Sequence, residues 1–187
     1  VCPEERLLKL WEGLGYYNRV RNMQKAAQIV TEQYDSSMPC DYEILLSLPG
    51  IGSYTAGAVA SIAGGQAVPA VDGNVLRVIS RICESEEDIT KQTVKRRMEE
   101  ALRKVIPADQ PGAFNQALME LGATVCLPNG APECSRCPVL HLCQSGKSGS
   151  WDHIPVKAPK KPRHTEQRTV LVIRDSEHAA VRRRPSK

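Results

Sequence analysis

The chain has 187 residues, of which 41% are hydrophobic and 25% charged, as is ordinary for a globular protein of one or two domains. No apolar run approaches the roughly 18 to 20 residues of a bilayer span, which excludes a transmembrane helix. The net charge of +4 comes from residues 157–187, which hold ten basic and three acidic residues, so bulk charge does not indicate nucleic-acid binding by the rest.

Apolar residues at helical spacing predict a mostly helical chain up to Cys143. Helix-capping residues and Pro or Gly at the boundaries support the same interpretation. In chain order, the predicted helices span residues 4–12, 20–34, 41–46, 53–63, 72–82, 90–105 and 111–125. The predicted fold class of this part is therefore all-α.

The composition changes after Cys143. Residues 144–167 are rich in Ser, Gly, Lys and Pro, which is typical of a linker. The β-branched run 168–174, with residues 179–183 as a hairpin partner, predicts the first strands of a separate β-containing domain that is truncated. Because the chain begins at Val1 rather than at a methionine, we expect it to be a fragment.

Four of the seven cysteines form one loop, with the spacing Cys-x7-Cys-x2-Cys-x5-Cys. An odd total and a single tight group do not match a secreted disulfide framework, and they predict a metal or cluster site in a reducing compartment. One contiguous loop with a single Cys-x2-Cys pair favours a bulky iron–sulfur cluster, with zinc as the alternative. The candidate ligands are Cys126, Cys134, Cys137 and Cys143.

A glycine-rich turn, LPGIGSYTA, joins the third and fourth predicted helices. Such a turn lets backbone N–H groups approach an anion that faces a helix N-terminus. On DNA the anion would be a phosphate, contacted without base readout. A plain helix–helix connection has a similar pattern, so the turn alone leaves both interpretations open. The candidate DNA-binding residues are Leu48, Gly50, Gly52 and Ser53.

Asp72 stands at the predicted start of the fifth helix. There it can cap the helix, whose N–H groups and dipole favour an ionised carboxylate. Cleavage of a glycosidic bond requires such a carboxylate opposite a developing oxocarbenium charge. Gly73 allows close approach of a ligand, and Asn74 can donate a hydrogen bond to a sugar or to Asp72.

Taken in this order, the hairpin LPGIGSYTAGAVAS, the aspartate in AVDGNVLRV and the four-cysteine loop resemble the endonuclease III-like DNA glycosylases. The segments LWEGLGYYNRVR and FNQALMELGATVC are similar to the MutY-type adenine DNA glycosylases within that superfamily, and the match covers residues 7–143 nearly without a break. The resemblance implies a helix-hairpin-helix glycosylase fold. It also implies that Tyr16 is the tyrosine inserted into the duplex beside 8-oxoguanine.

The resemblance further implies an enzyme of base-excision repair. It would flip adenine, mispaired with 8-oxoguanine or guanine, out of double-stranded DNA and hydrolyse its N-glycosidic bond. Asp72 would stabilise the oxocarbenium ion, with Asn74 and Tyr54 in the same site, and a 4Fe–4S cluster would hold the cysteine loop against the DNA backbone. Because Tyr54 fills the position of the lysine nucleophile of bifunctional relatives, we expect a monofunctional glycosylase without efficient strand cleavage.

The domains implied by the resemblance are a partial helical barrel with the hairpin (residues 1–67), a cluster domain (68–146), a linker (147–165) and the start of a Nudix-like, 8-oxoguanine-recognising domain (166–187). The first cysteine gap is seven residues where six is usual in the family. The family's general-acid glutamate has no match here, since the glutamates near the start of the chain do not fit its motif. We therefore expect the fragment by itself to be inactive or nearly so. Those glutamates are Glu4, Glu5 and Glu12.

Two rival functions stay open at the level of sequence. One is an endonuclease III-like glycosylase for oxidised pyrimidines, and the other is a non-catalytic iron–sulfur module that binds DNA lesions. For the adenine glycosylase we expect a monomer without a membrane partner. We expect an intracellular protein, in the bacterial cytoplasm rather than in a nucleus or mitochondrion.

Overall fold

A computed structural model of the chain describes residues 2–159, 162, 165–167 and 169–180. The described residues form no β-strand, and none of their helices is long and apolar enough to cross a membrane. The prediction of an all-α fold is thereby confirmed. The helices are α1 (Glu4–Leu10), α2 (Tyr17–Gln33), α3 (Tyr42–Ser47), α4 (Ser53–Ile62), α5 (Gly73–Ile82), α6 (Gln92–Arg103), α7 (Pro111–Thr124) and α8 (Gln144–Ser148).

The seven predicted helices correspond to α1 to α7, with ends that differ by no more than three residues. Local capping explains the agreement. Asp41 caps α3 by accepting from the N–H groups of Glu43 and Ile44, and Asp72 caps α5. Pro111 is the first residue of α7, where its missing N–H costs no helical hydrogen bond.

Two hydrophobic clusters hold the helices together. The first packs α2, α3 and α4 against the segment that precedes α5, and the second packs α5 against α6 with α7 alongside. The first consists of Val30, Leu45, Leu48, Ala56, Ala60 and Val68. The second consists of Val71, Val75, Leu76, Ile89, Val94, Met98 and Leu102.

Asn115 of α7 fixes the chain between the two clusters. Its buried amide nitrogen donates to Oγ of Ser61 at 2.8 Å and to the carbonyl of Val68 at 2.9 Å. Its side-chain oxygen accepts from the N–H of Ala70 at 3.0 Å. Because buried polar groups are costly when unpaired, this satisfied amide favours one path for the residues that lead to Asp72.

Part of the segment predicted as a linker packs against the helices. The Arg81 guanidinium donates to the carbonyl oxygens of Trp151 and Ile154, at 2.9 and 2.7 Å, and the Ile154 side chain is buried. We call residues 149–158 the exit strap. Its contacts hold the chain beside the end of α5 after it leaves the cysteine loop.

The region predicted to begin a β-containing domain shows one antiparallel bridge among its described residues, between Arg174 and Ala179. The apolar side chains from Val170 to Ile173 are exposed. Residue 168 and residues 181–187, on which the rest of that prediction falls, lie outside the described residues. The separate domain therefore stays a prediction.

Candidate active site and cysteine loop

Tyr16 projects from the surface at the start of α2. Its backbone is in the left-handed region, with φ at +46°, and its side chain is 88% exposed. The indole nitrogen of Trp11 donates to the carbonyl of Gly15 at 2.9 Å and holds the preceding turn. Backbone strain of this kind clusters at functional sites, which makes Tyr16 a candidate for ligand contact.

The bend between α3 and α4 packs against α2 at Gly50. The φ of Gly50 is +81°, and a Cβ at this position would lie 2.7 Å from Cβ of Asn22, so both conformation and space require glycine. Gly52, the N-cap of α4, has open space around it. The Leu48 side chain is buried in the first cluster, so only its backbone is available to a ligand.

A groove of about 1310 Å³ lies between α2 and this bend. Its lining includes Tyr16, Gly50 and Tyr54, so the structure brings three of the predicted site residues to one concave surface. Ser53, the candidate residue at the start of α4, points its hydroxyl toward α6. There the hydroxyl donates to a carboxylate oxygen of Glu99 at 3.0 Å.

Both carboxylate oxygens of Asp72 accept a hydrogen bond. One accepts from the N–H of Val75 at 2.8 Å, and the other from the side-chain nitrogen of Asn74 at 2.9 Å. Asp72 is half-buried and the adjacent Gly73 is exposed. The carboxylate is therefore held in one orientation near the surface and is not sealed inside the protein.

Helix α7 contacts both Tyr54 and the Asp72–Asn74 pair, although the lining of the groove includes Tyr54 and not Asp72 or Asn74. The Tyr54 hydroxyl donates to Sδ of Met119 at 3.6 Å. Three residues further along α7, Gly122 lies so close to Asn74 that a Cβ on Gly122 would be 2.6 Å from Cβ of Asn74. Positions three apart are neighbours on a helix surface, so Tyr54 and the Asp72–Asn74 pair pack against adjacent positions of one helix.

A buried arginine connects this pair to the cysteine loop. The Arg77 guanidinium donates to Oδ1 of Asn74 at 2.9 Å, to the carbonyl of Gly122 at 2.6 Å and to the carbonyl of Cys126 at 2.8 Å. Arg77 is 5% exposed, and this burial lowers its pKa. A continuous hydrogen-bonded path thus runs from Asp72 to the first residue of the cysteine loop.

The four predicted cysteine ligands line one cavity of about 30 Å³. N–H groups reach two of the sulfurs, from Arg81 to Cys126 at 3.3 Å and from Gly146 to Cys143 at 3.3 Å. Burial and the three neighbouring sulfurs raise the pKa of Cys134, and the charge of Arg81 opposes that rise. Four thiolates in this loop would therefore be unfavourable unless a cationic group compensates their negative charge.

The donor set consists of sulfur. The four cysteines line a common space, and soft thiolates are the ligands that iron–sulfur clusters and zinc prefer. Within the residues that the structure describes, no three His, Cys, Asp or Glu side chains converge closely enough to hold one metal ion.

The sequence patterns did not indicate Arg77, Arg81 or Asn115, which the structure buries at the centre of these contacts. One signal was present: Arg77 and Arg81 are four residues apart, which places both on one face of α5. Their acceptors are mostly backbone carbonyls from distant parts of the chain, and no side-chain pattern reveals those.

A family described as HhH-GPD superfamily base excision DNA repair protein matches residues 2–104. Adenine DNA glycosylase from Homo sapiens is 47% identical over 142 residues, which cover 75% of this chain and 26% of the human protein. Adenine DNA glycosylase from Buchnera aphidicola subsp. Schizaphis graminum is 34% identical over 155 residues, 83% of this chain and 44% of that protein. The chain thus spans less than half the length of these relatives.

Solved structures show the same fold. A trapped endonuclease III–DNA covalent intermediate superimposes with a TM-score of 0.65 at 33% identity, over 80% of this chain and 68% of that one. A thermostable thymine-DNA glycosylase gives a TM-score of 0.66 at 27% identity, over 79% of this chain and 67% of that one. The prediction of a helix-hairpin-helix glycosylase fold is confirmed.

Proposed function

Because the chain belongs to the HhH-GPD superfamily of base excision DNA repair proteins, we propose that the full-length protein is a DNA N-glycosylase that removes adenine mispaired with 8-oxoguanine or guanine. One observation carries this proposal: two hydrogen bonds orient the Asp72 carboxylate at a half-buried helix start, beside the helix that also packs against Tyr54. Relatives at 34% and 47% identity that bear the name adenine DNA glycosylase support the choice of base.

The bend between α3 and α4 binds the DNA backbone. Backbone N–H groups around Gly50 and Gly52 face a phosphate at the start of α4, where the helix dipole favours an anion. Tyr16 enters the duplex beside the base opposite adenine, because its ring is exposed to solvent and lines the same groove. This wedge lowers the cost of turning adenine out of the stack, which the chemistry needs because the glycosidic bond is unreachable inside the duplex.

Asp72 stabilises the charge that develops as the bond between adenine N9 and the sugar C1′ breaks. The bonding electron pair leaves with adenine, which takes up a proton, and the sugar becomes an oxocarbenium ion. Water then adds to C1′ and loses its proton. A carboxylate already oriented by Val75 and Asn74 offsets the positive charge without reorganising during the reaction.

The reaction stops at the abasic site. A phenol cannot form a Schiff base with the sugar, and Tyr54 is the hairpin residue that faces α7 through Met119. The hydroxyl of Tyr54 instead donates to Sδ of Met119 and connects α4 to α7.

We further propose that the four cysteines hold a 4Fe–4S cluster. The bound cluster ties the loop together and supplies no step of the hydrolysis. Two observations support it: the shared cavity and the N–H donors on Cys126 and Cys143. Protein purified without oxygen should contain iron and sulfide and absorb broadly near about 400 nm, as thiolate-bound iron does. Stoichiometric zinc in a colourless protein would contradict the cluster.

Base release from defined duplexes tests the function. The full-length protein should release adenine opposite 8-oxoguanine and opposite guanine, and leave an abasic strand that breaks only after alkali treatment. Release of an oxidised pyrimidine with strand cleavage would favour the endonuclease III-like alternative. Tight binding without release of any base would favour the non-catalytic alternative.

A further inference from the structure

Helix α6 is strongly basic, and the proposed function leaves its basic residues without a role. Arg97 pairs with Glu87, and the charge of Arg103 lies over the ring of Tyr42. Within the described part of the chain, no carboxylate forms an ion pair with the other basic residues of this helix and its two flanking positions. They are Lys91, Lys95, Arg96 and Lys104.

Two contacts fix the direction in which α6 runs past the hairpin. The guanidinium carbon of Arg103 is 5.4 Å from the ring centroid of Tyr42, the first residue of α3. One turn closer to the start of α6, Glu99 accepts from the hydroxyl of Ser53, the first residue of α4, at 3.0 Å. Moving from Arg103 to Glu99 along α6 therefore leads from the far end of α3 toward the bend.

Lys95 and Arg96 continue in that direction. They precede Glu99 by four and three residues, which places them on the same face and about 4.5 to 6 Å further along the helix axis. Arg96 is exposed and Lys95 is half-buried. Both residues therefore lie about one turn beyond the contact between Glu99 and Ser53, on the face of α6 that meets the start of α4.

We propose that Lys95 and Arg96 bind a second backbone phosphate of the duplex, next to the phosphate held at the hairpin bend. The inference rests on the proposed binding of DNA by that bend. Charge complementarity favours it, because residues 1–156 carry 15 basic and 18 acidic residues and a polyanion needs a local basic surface there. Such a contact adds affinity and register and does not read the base sequence.

The salt dependence of binding provides the test. The dissociation constant of an adenine:8-oxoguanine duplex is measured between about 50 and 200 mM salt, and each phosphate contact contributes about 0.9 to the slope of log affinity against log salt. The double variant Lys95→Gln/Arg96→Gln should lower the magnitude of the slope by about 1 to 2. The control Lys104→Gln removes one charge about 12 to 14 Å along the helix axis from Lys95 and Arg96, and it should leave the slope unchanged.

The outcomes separate this inference from the proposed function. An unchanged slope in the double variant, with wild-type protein that binds the duplex and releases adenine, overturns the second phosphate site alone. An equal fall in Lys104→Gln also overturns it, because the effect would then come from overall charge. Wild-type protein that neither binds the duplex nor releases adenine overturns both proposals. Thermal unfolding of each variant verifies that the fold is retained.

Discussion

The Arg77 guanidinium donates to the side-chain oxygen of Asn74 at 2.9 Å, while the amide nitrogen of Asn74 donates to Asp72 at 2.9 Å. An Asn amide has one accepting end and one donating end, so the cation determines which end faces the carboxylate. Arg77 is itself anchored to the carbonyls of Gly122 and Cys126. The orientation of the proposed catalytic aspartate thus depends on a residue buried between α7 and the cysteine loop.

Arg77→Lys should slow adenine release by about 10- to 100-fold, because small misplacements of reacting groups cost rates of this order. Lysine keeps the charge but cannot reach three acceptors in the same geometry. Duplex affinity should change little, and the exposed control Arg103→Lys should keep the wild-type rate. Single-turnover base release measures the effect. If Arg77 orients Asp72 through Asn74, Arg77→Lys should not slow the Asn74→Ala variant any further. Fully additive losses of rate in the double variant would exclude this role of Asn74.

Gly122→Ala should destabilise the protein even though alanine favours a helix over glycine by about 1 kcal/mol. The added Cβ would lie 2.6 Å from Cβ of Asn74, and such overpacking costs about 1 to 3 kcal/mol. Gly73→Ala is the control, because a Cβ there meets no atom within 4 Å. Denaturant unfolding should show a loss for Gly122→Ala and none for Gly73→Ala. A gain in stability for Gly122→Ala would show that α5 and α7 are not in close contact at this position.

Ile154→Ala should loosen the exit strap and accelerate loss of the proposed cluster. Arg81 donates both to Sγ of Cys126 and to the carbonyl of Ile154, so a weaker strap leaves the guanidinium less firmly held against the sulfur. Loss of absorbance in the presence of an iron chelator measures the rate. Ile106 is also buried but lies just after the end of α6, away from the strap. Ile106→Ala is therefore the matched control and should change the rate little. Equal acceleration in both variants would mean that general destabilisation is the cause.

The carboxylate of Asp41 should contribute to stability at neutral pH and lose that contribution in acid. Hydrogen bonds from Gln66 and from the N–H groups of Ile44 and Glu43 lower its pKa below the ordinary value of 3.8. The unfolded chain therefore binds a proton at Asp41 more readily than the folded protein, and stability falls as the pH drops below that value. Asp41→Asn cannot titrate, and its stability should fall less steeply between about pH 5 and pH 2. Parallel curves for the two proteins would contradict this assignment.

Local chemistry explains what could be predicted from the sequence. Asp41 and Asp72 cap the helices that their positions indicated, because a cap depends on neighbours within three residues. Leu48 illustrates the limit: its place in the turn predicts a contact with DNA, and the structure adds that its side chain is buried, which leaves its backbone for such a contact. The exit strap could not be predicted, because its Ser, Gly and Lys content indicates a linker and its docking depends on Arg81, some 70 residues earlier.

The most direct test of the account is the single-turnover rate of adenine release by Asp72→Asn in the full-length protein. The substitution keeps the size and the helix cap and removes only the negative charge that is proposed to stabilise the oxocarbenium ion. We predict a loss of at least about 100-fold in rate, the order expected when one preorganised electrostatic group is removed, with duplex affinity unchanged. A variant that releases adenine at the wild-type rate would contradict the role of Asp72.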